Sequence, residues 1–256
     1  GLRLSGHIPA FMTAEEAVDA GFDEIQHINM IFLNFLGKNI DTRKRLRFSI
    51  VGEKAHELDL DSKEVNDFVA KLAEKGIEVD PTVSTFNSLF RKGGVIDPEI
   101  EPVYEHLPIN VSRGYVRPVM DITPELRDDY DKSIQAMSAM VKKLHENGVP
   151  IVPGTDAIAG FTLHRELEIY ADAGISNADV LKLATIGSAE VVGNAENVGS
   201  ISEGKQADLV FVDGNPLEDI GELRQIALVI KEQRIYKPNK IYEAIGVKPF
   251  TASIDY

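Results

Sequence analysis

Cysteine is absent from all 256 residues, which excludes disulfides and thiolate metal sites, so any metal must be held by His, Asp and Glu. Clustered positive charge is scarce too. Lys and Arg number 27 against 41 Asp and Glu, a net charge of −14, whereas a phosphate-binding surface needs the opposite balance. The one basic cluster, Arg43-Lys44-Arg45-Leu46-Arg47, reads as a solvated loop or helix face. No apolar run approaches the ~20 residues that span a bilayer, and no signal peptide is visible. Nucleic acid and membrane are therefore not expected partners. A soluble protein is expected, with the compartment left open between cytoplasm, periplasm and secretion. No internal repeat or low-complexity stretch stands out.

What is present is 43% hydrophobic content, enough for one large domain with or without a small appendage. The most informative stretch is Val149-Pro-Ile-Val-Pro-Gly-Thr-Asp-Ala157. Its short apolar run stops at Pro153-Gly154 and then presents Thr155 and Asp156, as a buried parallel strand does when it carries a carboxylate from its C-terminal end. In a β/α barrel that end of the strand carries the catalytic groups.

Strand and helix alternate through the first half. Leu2 to Ser5 reads as a strand delivering Gly6-His7, and Thr13-Ala-Glu-Glu16 as a capping box opening a helix over 14–20. Asp23 to Gln26 is the next strand and delivers His27. Met30 to Leu36 reads as a lid or a helix. Ser62 caps a helix with Val65, Phe68, Val69 and Leu72 on one face, ended by Gly76. Ile77 to Val83 is a third strand, 84–129 an elaborated loop with short helices, and 131–147 a strong helix. Val149 to Val152 is the fourth strand, and helices over about 163–173 and 177–192 follow it. Beyond Gly193, segments 207–213, 226–231 and 234–236 read as antiparallel strands, the last two joined by a turn at Glu232-Gln233. The division expected is thus 1–194, a partial (β/α) barrel, and 195–256, a β-rich segment with a tail.

His7, His27 and Asp156 each fall just after a strand, which brings two nitrogens and a carboxylate to one rim. Catalytic zinc takes that ligand type, with an open position for water. A lone histidine at a strand end is more often a hydrogen-bonded structural residue; the three together tip the balance towards a metal site. His56, His106 and His145 read as surface residues. His164 either reaches the rim or orients its own helix, and Glu166 and Glu168 read as solvated helix charges. Tyr104, Tyr115 and Arg117 sit in the long loop as weak candidates for substrate contact, with packing the simpler role for each.

Gly6-His7, Glu24-Ile-Gln-His27 and Pro153-Gly-Thr-Asp156-Ala resemble the later metal-site motifs of the amidohydrolase superfamily. Leu163-His-Arg-Glu-Leu167, Ala184-Thr185 and Gly199-Ser-Ile-Ser-Glu-Gly-Lys-Gln-Ala-Asp-Leu-Val-Phe-Val-Asp213 are similar to its closing helices and composite β-domain. The nearest branch is that of imidazolonepropionase and prolidase-like dipeptidases, with little likeness between residues 30 and 130. The resemblance implies an α/β fold, the C-terminal part of a TIM-like (β/α)8 barrel (about strands five to eight) followed by part of a small β-sandwich. It also implies hydrolysis of a C–N bond in an amide, dipeptide or cyclic amide. His7 and His27 would be ligands of one or two divalent ions, zinc foremost, and Asp156 both a ligand and the acceptor of the proton from metal-bound water. The superfamily's His-x-His pair is missing, and the position of its strand-four lysine falls before Gly1. The expectation is an enzyme seen in part, inactive alone and completed by an N-terminal half or a complementing chain, with a small-molecule substrate. A homo-oligomer is left open. The alternatives are a non-catalytic, degenerate module and one half of a split enzyme.

Overall fold

The computed structural model describes residues 2–37, 39–97, 100–157 and 159–251. Its central sheet is assembled in chain order from parallel segments. β1 (Ser5–Gly6) pairs with β2 (Glu24–Gln26), β2 with β3 (Glu78–Asp80), and Val79 of β3 bridges to Ile151. Gly6, Ile25, Val79 and Ile151 fall in one register row. Ile25, Val79 and Ile151 turn towards the helices and are at most 1% exposed. Strand alternation then places Glu24, Gln26, Glu78 and Asp80 on the opposite face, where Arg3 pairs with both glutamates.

The helices follow from local signals. Thr13 forms the expected capping box with Glu16 and opens α1 (Ala14–Asp19). The segment read as lid or helix is α2 (Ile28–Leu36), whose residues 28–33 are all buried, so it belongs to the core. α3 (Leu46–Lys54) follows. α4 (Lys63–Lys75) starts at Ser62, whose hydroxyl accepts from Val65 N–H, and stops at Gly76 in the left-handed region (φ 63°), where a Cβ is strained. It buries Val65, Phe68, Val69 and Leu72.

The third strand is shorter than expected. Pro81 removes a donor, Thr82 turns left-handed (φ 48°), and Val83 starts α5 (Val83–Leu89). The long loop does carry short helices, including α6 (Ile109–Ser112). α7 (Arg127–Glu146) begins earlier than read and buries Met137, Met140, Val141 and Leu144. The fourth strand is reduced to the bridge at Ile151, between Pro150 and Pro153, which cannot donate to a ladder. α8 (Ala159–Asp172), α9 (Asn177–Lys182), a π turn at 183–187 and α10 (Ser188–Val191) complete the first segment.

The antiparallel piece comprises β4 (Leu209–Val212), β5 (Ile226–Lys231) and β6 (Arg234–Tyr236) in that spatial order. Glu232 (φ 50°) and Gln233 (φ 62°) make the β5–β6 turn, both left-handed as a two-residue type I′ hairpin requires. α11 (Pro238–Ala244) follows and had no expectation; Pro238 suits a first helical position. All three antiparallel strands lie after residue 194; Gly1 and residues 252–256 of the two expected segments lie outside the described residues. Among the described residues no helix is long and apolar enough to cross a membrane.

Candidate functional site

The C-terminal ends of the parallel strands converge. His7 follows β1, His27 follows β2, and their Nε2 atoms face each other at 2.5 Å, the rings edge-on. Asp156, after the Ile151 bridge, brings Oδ2 to 3.9 Å from His27 Nε2. The structure therefore gathers all three residues singled out in the sequence. His27, Thr82 and Asp156 are three of the seven described non-glycine residues with positive φ (73°, 48° and 49°). Such backbone strain collects at functional sites, where surrounding contacts hold it in place.

Those contacts are visible. His27 Nδ1 meets Thr82 Oγ1 at 2.7 Å, and His27 N–H donates to the Asp80 carbonyl at 2.7 Å. Thr85 Oγ1 donates to the Thr155 carbonyl at 2.5 Å, immediately before Asp156. Thr82 and Thr85 flank the start of α5, and that start is fixed by Glu166 of α8. Val83 and Ser84 N–H donate to its two carboxylate oxygens at 2.9 and 2.7 Å. Glu166 is fully buried, which corrects its reading as a solvated charge; its helix lies against α5, so the i, i+4 pair Glu166 and Tyr170 points inward. Tyr170, also fully buried, lies beside Glu166 with its hydroxyl outside good hydrogen-bonding geometry. Glu168 is likewise no solvated charge: its side chain is 13% exposed and pairs with Arg224 at 2.8 Å.

The network also fixes the tautomers. Arg47 Nη1 lies 3.0 Å from His7 Nδ1, and a guanidinium can only donate. His7 Nδ1 therefore accepts, its ring proton sits on Nε2, and that proton points to an accepting His27 Nε2. The proton of His27 is then on Nδ1 and donates to Thr82. Both rings are held neutral. Burial first, then the neighbouring His7, pushes His27 down to about 4, and burial followed by Arg47 lowers His7. Behind the rim Asp80 is raised to about 7, chiefly by burial and then by the negative charge of Glu166. A Cβ on Gly154 would collide with the Asp80 carboxylate, so any side chain there requires that carboxylate to shift.

Two neutral imidazoles and a carboxylate are donors suited to a divalent cation. His27 is oriented for it, with Nδ1–H anchored and the Nε2 lone pair facing inward. His7 would need its proton on Nδ1, where Arg47 now presents a competing donor, so seating a cation moves Arg47 away. No group of three His, Asp or Glu side chains among the described residues closes around a single point. The donor types fit, and the set is short of a full shell.

The remaining candidates lie elsewhere. His164 packs with Arg224 and Glu168 and is lowered to about 4, first by burial and then by Arg224. Its Nδ1 is buried without a hydrogen-bond partner among the described residues, and α8, which carries it, packs against the 220–224 turn. The Tyr115 carbonyl accepts from Asp97 N–H, and Arg117 is exposed with its carbonyl taken by Arg91. Thr82, Glu166, Asp80 and Arg47 were missed. Asp80 had a signal, an acid at a strand end like Asp156; the other three become visible only when α3, α5 and α8 are brought together.

The chain is 29% identical to ochratoxinase from Aspergillus niger over 122 residues, 47% of this chain and 24% of that protein. It is 29% identical over 85 residues to imidazolonepropionase from Caldanaerobacter subterraneus subsp. tengcongensis, 31% of this chain and 20% of that one. Its fold is similar to a crystal structure of a Xaa-Pro dipeptidase with bound methionine, with a TM-score of 0.54 and 23% identity over 93% of this chain and 45% of that chain. It is also similar to the crystal structure of A. niger ochratoxinase, with a TM-score of 0.54 and 18% identity over 92% of this chain and 42% of that chain. The chain thus spans less than half the length of these relatives. The model of the amidohydrolase family matches residues 6–237, and the chain belongs to that family.

Proposed function

We propose that this chain carries the later half of the active site of a metal-dependent hydrolase of C–N bonds. His7, His27 and Asp156 would hold a divalent ion, zinc by donor type, at the C-terminal ends of strands five, six and eight of a TIM-like barrel, and the antiparallel piece would be part of a small β-sandwich. The observation that carries this reading is the meeting of both Nε2 atoms, 2.5 Å apart, with Asp156 3.9 Å from one of them. Such an ion, when bound, lowers the pKa of a coordinated water and polarises a carbonyl. The protein's own part is then specific. Asp156, 63% exposed at its side chain, accepts the proton of the attacking water and returns it to the leaving nitrogen. Thr82 holds the His27 ring, and the α5 start keeps His27 and Asp156 in register. The donors missing from the shell would come from outside these 256 residues, by an N-terminal half or a complementing chain, as coverage of under half of the similar structures supports. The test is metal analysis with hydrolysis of an N-acyl amino acid panel by the full-length protein. Binding of zinc that is lost together with turnover in His27→Ala supports the reading; turnover undiminished by that substitution refutes it.

A further inference from the structure

Four aromatic rings form a chain between two segments that are distant in sequence. His106, read from the sequence as a surface residue, stacks on Phe250 with ring centres 4.0 Å and planes 12° apart. Phe250 meets Tyr242 of α11 edge-on at 5.4 Å, and Tyr242 lies over Phe161 of α8 at 6.4 Å. Backbone contacts fasten the same route. Gly246 turns left-handed (φ 75°) after α11, and the chain doubles back until the Thr251 carbonyl accepts from Asn239 Nδ2 at 3.0 Å. Lys248 N–H donates to the His106 carbonyl, and His106 Nδ1 donates to the Lys248 carbonyl, both at 2.8 Å. Val247, beside this pair, is 5% exposed. Both ends of the aromatic chain lie on connections that leave the parallel strands at the rim: His106 between β3 and α7, and Phe161 in the first turn of α8, shortly after Asp156. Connections on that side of a β/α sheet shape the mouth of the site.

The first connection needs such support. Its stretch 101–116 is built from single turns, 3-10 at Glu101–His106 and Arg113–Val116 with the four-residue α6 between them. Helical pieces far below ~12–15 residues do not hold by themselves and take their place from tertiary contacts. One side of the stretch is tied within the connection, by Asp97 N–H on the Tyr115 carbonyl and Arg91 on the Arg117 carbonyl. The other side, at His106, is tied by Lys248 and Phe250. We infer that residues 238–251 are a clasp that joins the 101–116 stretch to the start of α8 and so fixes how far the mouth over His7, His27 and Asp156 stands open. α11 also packs against β5, which anchors the clasp on the antiparallel piece and lets a segment outside the parallel sheet set the shape of the rim. Aromatic rings suit the task, because each covers a large area in a defined mutual geometry. Parting one pair loosens both connections, and such coupling runs equally in both directions.

The inference goes beyond the hydrolase reading and does not rest on it, since its test needs no substrate. Amide hydrogen exchange is followed in the full-length protein, with the amides of α4 registering any loss of global stability. His106→Ala should speed exchange at 101–107 and, through the aromatic chain, raise it threefold or more at 163–166 in the first turns of α8. Phe161→Ala should do the reverse, raising exchange at 101–107 by threefold or more. Ile241→Ala, at an exposed position of α11, should leave both segments as they are. Effects confined to the connection that carries the substitution overturn the inference, as does an Ile241→Ala protein that loosens both segments equally well. Because the coupling is reciprocal, either of the two aromatic-chain variants decides the matter if the other fails to fold.

Discussion

Glu166 offers the sharpest test of how the site is built. Replacing it by alanine removes the acceptor of two buried backbone donors, Val83 and Ser84 N–H. Each charge-assisted bond is worth about 1.5–3 kcal/mol, and each orphaned buried donor costs about 1–3 kcal/mol. Against this stands relief from burying a carboxylate, which is raised above its usual range mainly by burial. The relief does not cancel the loss, because only one side of each bond is removed and the donors stay buried. A net destabilisation of about 3 kcal/mol is expected for Glu166→Ala, which in a chain of this size lowers the melting temperature by roughly 6–12 °C. Glu166→Gln keeps one accepting oxygen and turns its NH2 against the second donor, so about half the loss is expected. Denaturant midpoints with unchanged slopes provide the measurement, with Glu64→Ala, on the exposed face of α4, as the reference. A Glu166→Ala protein as stable as that reference would show that the carboxylate does not hold the α5 start, and the positioning argument would fall with it.

Thr82→Val keeps the shape of the side chain but leaves His27 Nδ1–H without its acceptor, while Thr82→Ser keeps the hydroxyl. Nitrogen-15 shifts of the His27 ring should change in the first and hold in the second; under the proposed hydrolase reading, hydrolysis by the full-length protein should drop roughly 10–100-fold only in the first. Gly154→Ala drives a methyl group into the Asp80 carboxylate, so that carboxylate or the backbone leading to Asp156 must move; under the proposed hydrolase reading, turnover of the full-length protein should fall by at least tenfold with little change in far-ultraviolet circular dichroism. His164 yields a pH prediction. Its folded pKa of about 4 lies below the ordinary 6.5, so in that window the unfolded chain binds more protons and stability rises with pH. Up to about 3 kcal/mol should be lost on going from pH 6.5 to pH 4, and His164→Asn should remove most of that slope in urea titrations.

His7, His27 and Asp156 were legible because each sits at a strand end, where strand direction alone aims it at the rim. Helix starts at Thr13 and Ser62 were legible for an equally local reason, a side-chain oxygen meeting a nearby N–H. What escaped depends on contacts across many residues. Glu166 sits among charges on α8, and its burial follows from α5, 82 and 83 positions earlier. Arg47 shares a run with three exposed cations and differs from them only in meeting His7, 40 residues away. The third strand was read too long because Val83 has high strand propensity, while Pro81 and the left-handed Thr82 decide otherwise. The fourth strand was read as a ladder, and its prolines leave one bridge.

The row of the parallel sheet that faces away from the helices, Glu24, Gln26 and Glu78 with Arg3 across it, limits what can settle there. Grease would strip water from four polar groups and return nothing, so any protein surface that comes to rest on this side has to be wet or to carry hydrogen-bonding groups of its own.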